Sequence, residues 1–357
     1  MNTKYLLSCI IILFLILNLP NLTGASDKDY NVIIDQFTRI TEGPHVTNST
    51  RSGGVCWVDY NNDNYLDIYE TNARYPDMEN NCLYENNGDG TFTQRTDLSI
   101  VNDDNFSTCA IWADYDNDND LDLFVAAHRT HPNLFYINNG DGSFTLNTST
   151  PVDDNIVGST SASWIDYNND GDVDLFVGNS TCGSCPDYPP YRNFLFKNTG
   201  GVFTEILTGD IVTIEKHTYG TTWCDYDNDG DVDLIDPNYN DEITDLYRNE
   251  GDDIFTHITT DVITAVTGNG GHSAWADYDN DSDMDLFLGG NTPGTNLLYN
   301  NNGDGTFSEA VNNGLGLLLN RSDNGSWVDF DNDGDQDILI WCIIYEFGVD
   351  NSDSAFG

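Results

Sequence analysis

The sequence predicts an all-β fold, a β-propeller of four-stranded blades, and three observations carry that expectation. A tryptophan-headed phrase recurs six times in 357 residues. NG and DG turns fall between short alternating apolar runs, a strong hairpin signal. Gly, Asn and Asp are abundant and strong helix formers are scarce. Four-strand units recurring about every 40 to 60 residues suit propeller blades, where radial repetition shields the sheet edges. A string of separate domains fits less well, because units this small with no linkers bury too little core alone.

Charge and composition exclude two classes. Sixty acidic residues against 12 Lys plus Arg give a net charge of -48, which argues against a nucleic-acid binder, since phosphate contacts need clustered cations. At 38% hydrophobic and 12% aromatic the chain is no disordered acidic tail.

The chain opens with Lys4, an apolar run from Tyr5 to Leu19, then Pro20 and the small residues Gly24-Ala25-Ser26. This reads as a secretory signal peptide over residues 1–25, leaving residues 26–357 as the propeller. The run is too short for a membrane span, which needs about 20 residues, and so is the later stretch Ile338 to Phe347. The expectation is a secreted or cell-surface chain with no transmembrane span after cleavage. Seven cysteines then remain, an odd number, and Cys182 and Cys185 read as a small loop-closing disulfide or two plain thiols.

The repeat is headed by Trp57, Trp112, Trp164, Trp223, Trp275 and Trp327. A second phrase, as in NLFYINNGDGSF, closes on Phe92, Phe144, Phe203, Phe255 and Phe307. Each closing Phe stands 20 residues before the next Trp, and Phe37 stands 20 before Trp57. The distances from Trp to closing Phe are 35, 32, 39, 32 and 32. One segment therefore has fixed length and the other accepts insertions. Within a unit the first strand ends at the Trp and the second is the LDLFV-type run. The third is the NxLYxN run, and the fourth begins at the Phe. An additional strand, Gln36 to Thr41, is expected to complete the blade of Trp327, which lacks the NxLYxN phrase. The chain is then either a six-bladed closed ring with one irregular member or a truncated seven-bladed one.

The acidic loops read as metal sites. Numbered from the Asp two residues after each Trp, positions 1, 3, 5 and 9 are Asp or Asn in every copy. The sets are Asp59, Asn61, Asp63, Asp67; Asp114, Asp116, Asp118, Asp122; and Asp166, Asn168, Asp170, Asp174. The others are Asp225, Asp227, Asp229, Asp233; Asp277, Asp279, Asp281, Asp285; and Asp329, Asp331, Asp333, Asp337. Hard oxygen ligands on alternate residues of a tight loop suit calcium, with position 7 offering its backbone carbonyl. Magnesium, smaller and reluctant to lose water, suits them less. Like charges about 4 Å apart cost on the order of 4 kcal/mol per pair at an effective dielectric near 20, so loops this crowded call for a cation. About six structural calcium ions are expected, coupling metal binding to folding. An EF-hand is excluded because position 12 holds Glu70, Val125, Val177, Asp236, Leu288 and Ile340 in place of its closing Glu. Position 6 needs a positive φ and holds Gly171, Gly230 and Gly334, or Asn64, Asn119 and Ser282. The first loop, with three Asp ligands and Tyr65 at position 7, is expected to bind most weakly.

The phrases W-x-D-x-D-x-D-G-D-x-D-L-F and NxLYxNNGDGTF resemble the FG-GAP/VCBS repeat, which also builds the calcium-bearing propeller of integrin α chains. The resemblance covers about residues 36 to 341. It implies a propeller with calcium in the loop between the first two strands of each blade, and a role in adhesion, matrix or carbohydrate contact.

A protein or glycan partner is expected on the face opposite the calcium loops, where the long loops between second and third strands lie. Candidate contact residues are Arg74, Tyr75, His128, Arg129, Tyr188, Tyr191 and Arg192; Arg51, Lys216 and Arg321 map to the same face. Equally, these arginines could pair with carboxylates at strand ends. No GxSxG, HExxH, P-loop or dinucleotide motif is present. The expectation is a binding module and no enzyme; the competing class is an extracellular polysaccharide lyase or glycosidase with a base such as His128.

Overall fold

The computed structural model describes residues 13–17, 40–47, 52–72, 79–128, 131–152, 158–180, 191–239, 242–266, 271–290, 296–311, 321–329 and 333–343. Five four-stranded antiparallel sheets follow one another in chain order, each a blade. Blade 1 holds β2 (Ser52–Val58), β3 (Asp67–Asn72), β4 (Cys82–Asn86) and β5 (Phe92–Arg95). Blade 2 holds β6 (Ser107–Ala113), β7 (Asp122–Ala127), β8 (Leu134–Asn138) and β9 (Phe144–Leu146). In blade 3 are β10 (Ser159–Ile165), β11 (Asp174–Asn179), β13 (Phe194–Thr199) and β14 (Val202–Ile206). Blade 4 comprises β16 (Thr222–Cys224), β17 (Asp233–Asp236), β18 (Asp245–Asn249) and β19 (Phe255–Ile258). Blade 5 comprises β20 (Ser273–Ala276), β21 (Asp285–Leu288), β22 (Leu297–Asn301) and β23 (Phe307–Glu309). A two-stranded ribbon, β12 (Tyr191–Arg192) with β15 (Glu215–Lys216), stands beside blade 3.

The sixth sheet departs from expectation. It pairs β24 (Arg321–Val328) with β25 (Asp337–Ile343), and the other edge of β25 takes β1 (Leu13–Leu17), from the apolar run read as a signal peptide. Of the strand expected at Gln36 to Thr41, residues 36–39 lie outside the described residues, and Ile40 and Thr41 are in no strand. The physical reason for the β1 pairing is composition: Leu13–Leu17 and Ile338–Cys342 are both apolar runs, and five residues of each register against each other.

The first strands of successive blades pack side by side around the axis. Hydroxyls tie them together: Thr108 Oγ1 donates to the Ser159 carbonyl at 2.8 Å and Thr160 Oγ1 to the Thr218 carbonyl at 2.7 Å. Thr222 and Ser273 share a hydroxyl bond of 2.7 Å. Small residues are required here because the strands converge. A Cβ at Gly53 would lie 2.5 Å from the Ser107 carbonyl oxygen.

The core lies between blades, face to face. Leu83 and Tyr69 of blade 1 pack against Leu123, Val125 and Phe144 of blade 2. Phe124 and Phe135 of blade 2 meet Leu175, Val177 and Phe203 of blade 3, and the pattern continues to blade 6. The signature residues of the repeat are the parts of this joint. The Tyr at loop position 2 lies against the closing Phe of the next blade, as Tyr115 does with Phe203 at 5.5 Å and Tyr226 with Phe307 at 5.4 Å. Each closing Phe also touches the Trp of its own blade, as in Trp164–Phe203 and Trp223–Phe255. The fixed 20-residue spacing has the same origin. Three of these crossovers carry a short helical turn, Ser99–Val101, Asp210–Thr213 or Ile263–Ala265, whose Ile100, Ile211 and Ile263 are buried in the joint.

Candidate metal centres

Antiparallel parity puts the loops joining first to second strands on one face, together with the NGDG turns joining third to fourth. The two meet: a Cβ at Gly140 would lie 2.5 Å from Asp120 Oδ2, and one at Gly303 2.6 Å from Asp283 Oδ2.

Each acidic loop folds by the same local bonds. The position 1 carboxylate accepts the backbone N–H groups of positions 5 and 6, as Asp114 does from Asp118 at 2.9 Å and Asn119 at 2.8 Å. The position 5 carboxylate accepts the N–H of position 7, as Asp118 does from Asp120 at 3.0 Å. Position 6 has the expected positive φ throughout, 69° at Asn64, 73° at Asn119, 79° at Ser282 and 91° to 98° at the three glycines. Position 4 is also left-handed in five loops, at Asn62, Asn117, Asn169, Asn228 and Asn280. Asn tolerates that region because its short amide bonds locally.

In loops 2 and 5 the position 1, 3 and 9 carboxylates converge: oxygens of Asp114, Asp116 and Asp122 lie within 4.8 Å of one another, as do those of Asp277, Asp279 and Asp285. In loop 4 the converging set is Asp225, Asp227 and Asp229. Loops 1 and 3 have Asn61 and Asn168 at position 3, an amide where the other four loops have a carboxylate. In loop 6 Asp329, Asp333 and Asp337 are described, and Asp331 lies outside the described residues.

Position 9 begins the second strand and is buried at Asp67, Asp122, Asp174, Asp233, Asp285 and Asp337. One of its oxygens accepts the backbone N–H of the third-strand Asn, as Asp122 does from Asn138 at 2.8 Å. Oδ2 of Asp67, Asp122 and Asp174 has no hydrogen-bond partner, nor does Oδ1 of Asp116 and Asp227. Burial, chiefly, pushes these carboxyls up: to about 6 at Asp67, about 7 at Asp122, Asp174 and Asp285, and about 8 at Asp233. Burial and then the neighbouring position 5 carboxylate raise Asp116 and Asp227 as well. A buried anion with an unused oxygen is costly unless a proton or a cation meets it. The donor set is all oxygen, several donors are carboxylates, and the loops are preformed, so the residues fit a hard divalent cation of calcium's size.

Two sets of bonds between blades were not foreseen from the sequence. The third-strand Asn reaches back to the preceding blade: Asn138 Nδ2 donates to the Tyr60 carbonyl at 3.0 Å, Asn198 to Tyr115, Asn249 to Tyr167 and Asn301 to Tyr226, each at 2.7 Å. The position 4 Asn reaches forward to the position 7 Asp of the next loop. The pairs are Asn62–Asp120, Asn117–Asp172, Asn169–Asp231, Asn228–Asp283 and Asn280–Asp335, at 2.8 to 2.9 Å. The repetition of Asn at both places was the available signal.

On the opposite face, Arg74, Tyr75, Arg129 and Tyr188 lie outside the described residues. Tyr191 and Arg192 form β12, and Arg192 is engaged, bonding Glu205 at 2.6 Å and lying over the Phe194 ring at 4.6 Å. Lys216 stands 3.4 Å from the buried Asp245 carboxylate. The His128 ring lies against Phe106, 5.2 Å between centroids. The loops of blades 4 and 5 on this face bring together Tyr219, Tyr239 and His272, with Tyr219 6.1 Å from Tyr239 and 5.5 Å from His272. Cys56, Cys109 and Cys224 are free thiols, and Cys182 and Cys185 lie outside the described residues. No helix among the described residues is long and apolar enough to cross a membrane.

Known proteins resemble the chain in part. The FG-GAP-like repeat family matches residues 73–125, 114–177 and 277–340. Cartilage acidic protein 1 of Xenopus tropicalis is 28% identical over 167 residues, covering 44% of this chain and 25% of its own length. The chain thus spans about a quarter of that relative. A solved Agrocybe aegerita lectin structure, titled for specific recognition of non-reducing terminal N-acetylglucosamine, superposes with a TM-score of 0.48 at 18% identity, covering 71% of this chain and 64% of the lectin. The family matches lie on the tryptophan-headed units of the blades, so the chain carries FG-GAP-like repeats.

Proposed function

We propose that the chain is an exported binding module whose six acidic loops hold structural calcium and whose opposite face meets a protein or glycan. The observation that carries the calcium reading is loop 2. Three carboxylates there converge within 4.8 Å, and a buried oxygen of one of them, Asp122 Oδ2, has no protein partner. Calcium supplies charge compensation when bound. The chain's own residues do the rest: positions 1, 3, 5 and 9 present oxygens, and the left-handed turns at positions 4 and 6 hold the loop open around the centre. For the opposite face, the support is the aromatic group of Tyr219, Tyr239 and His272, flat ring surface of the kind that stacks on sugars or anchors a protein contact.

The test is thermal unfolding of the chain in excess calcium and in chelator, with calorimetric titration of the chelated protein. The expected result is a large reversible loss of stability on chelation and close to six sites. The loop beginning at Asp59 is expected to be weakest, so Asp63→Ala should remove a weaker site than Asp229→Ala does. An unchanged transition together with a flat titration would end the calcium reading.

A further inference from the structure

The six acidic loops are not independent in space. Asn62 belongs to loop 1, yet its amide donates 2.9 Å to Asp120 Oδ1 and 3.2 Å to the Asn119 carbonyl, both in loop 2. Those two residues sit at positions 7 and 6, and the backbone N–H of Asp120 in turn holds the Asp118 carboxylate at 3.0 Å. A line of direct bonds therefore runs from a side chain of one blade to a ligand-type carboxylate of the next. The same forward bond recurs at all five junctions from blade 1 to blade 6.

The series has a direction and an end. In every loop from the second to the sixth, position 7 is an aspartate; in loop 1 it is Tyr65. That residue cannot take the place of a short carboxylate, and its ring instead covers the turn at Gly88, where a Cβ would lie 2.6 Å from Tyr65 Cζ. Loop 1 thus grips its neighbour but has no aspartate by which to be gripped. The five asparagines are also held in a left-handed conformation, with φ between 56° and 61°, which only Gly, Asn and Asp adopt readily. A side chain that merely filled space would not need that backbone.

We infer that the Asn at position 4 of each loop is a positioning residue for the cation site of the following blade, so that each site is coupled to the loop before it. This rests on the proposed calcium reading of the loops. An ordered neighbour loop delivers its amide in place, which fixes positions 6 and 7 of the next loop before a cation arrives and lowers the ordering cost of binding there. The cation in loop n+1 should bind more weakly when the amide in loop n is lost, although that amide is no ligand.

The experiment is a double-mutant cycle read by calorimetric calcium titration of the full chain, with Asn62→Gly and Asp120→Ala. Glycine keeps the left-handed backbone and removes only the amide; the Asp120 side chain is not among the proposed ligands. Each single change is expected to weaken one site about fivefold, the size of one ordinary hydrogen bond, and the double variant to be no weaker than either single one. With loop 2 disabled by Asp118→Ala, Asn62→Gly should leave the remaining sites unchanged. Additive effects in the cycle, or an Asn62→Gly effect that survives the loss of loop 2, would overturn the inference. A wild-type chain that takes up no calcium would overturn both this inference and the calcium reading; a normal wild-type titration with an additive cycle overturns this one alone.

Discussion

Asp236 stands where every other blade but the first has an apolar residue. It occupies position 12 of its loop, the place of Val125, Val177, Leu288 and Ile340, and faces Asp245 across the β17–β18 pair. Both carboxylates are buried. Thr218 and Asn193 donate to Asp236 Oδ2 at 2.9 and 2.8 Å, and Oδ1 has no partner. Burial first, and then the charge of Asp245, push the Asp236 carboxyl up to about 8. A carboxyl whose folded value is raised holds its proton better folded than unfolded. Its contribution is therefore complete below the unfolded value near 4 and is lost as pH rises through about 8. Asp236→Asn keeps an acceptor for both donors and removes the titration. The variant should match the wild type near pH 4 and be the more stable of the two at pH 9, measured by urea unfolding across that range. A wild-type advantage at pH 9 would show that the Asp236 charge is compensated after all.

Among the elements, the third strand joins blades through an asparagine. Its NxLYxN phrase reads from sequence as a strand entering a turn, and it is one. The two asparagines add what the alternation does not show. The first closes the end of the second strand, as Asn133 Oδ1 does by accepting the Ala127 N–H at 2.9 Å. The last ties the loop to the blade before it: Asn198 bonds the Val173 carbonyl at 3.0 Å in its own blade and the Tyr115 carbonyl at 2.7 Å in the preceding one. Asn198→Ala leaves both carbonyls without this donor in a buried place. A loss of about 2–3 kcal/mol in unfolding free energy is expected, with or without calcium. A loss below about 0.5 kcal/mol would show that water replaces the amide. These partners lie 83 and 25 residues away. Local patterning therefore marks the asparagine as recurrent without saying what it holds.

At the scale of the whole molecule, stability resides in the joints between blades, and among the described residues one side of blade 1 lacks such cover. Trp57 is 61% exposed and Val55 69%, whereas the other five repeat tryptophans are partly buried. Trp112 packs against Tyr69 and Trp275 against Tyr226, each from the blade before. Trp57→Ser is accordingly expected to change stability by less than about 1 kcal/mol, while Trp223→Ser, between Phe176 and Phe255, should cost about 3–5 kcal/mol in the same urea experiment. Equal losses would mean that another element covers Trp57 in solution. The sixth sheet shows the same difference between pattern and packing. Its missing third strand comes from Leu13–Leu17, inside a run whose composition reads as an export signal.

By itself the sequence determined the repeat, its four-strand unit, the positions of the acidic loops and the turn residues that shape them. All of these are written in spacings of a few residues, where alternation, positive-φ preferences and charge crowding act locally. The left-handed conformations at Asn64, Asn119 and Ser282 are of that kind. Only the tertiary structure decided which blade each Asn holds, that Asp236 and Asp245 face each other, that Arg192 is engaged with Glu205, and which strand lies beside β25. Those are contacts between segments brought together by the ring. A repeated residue is identical in every copy as far as its sequence is concerned; its partner is set by how far one blade is rotated from the next.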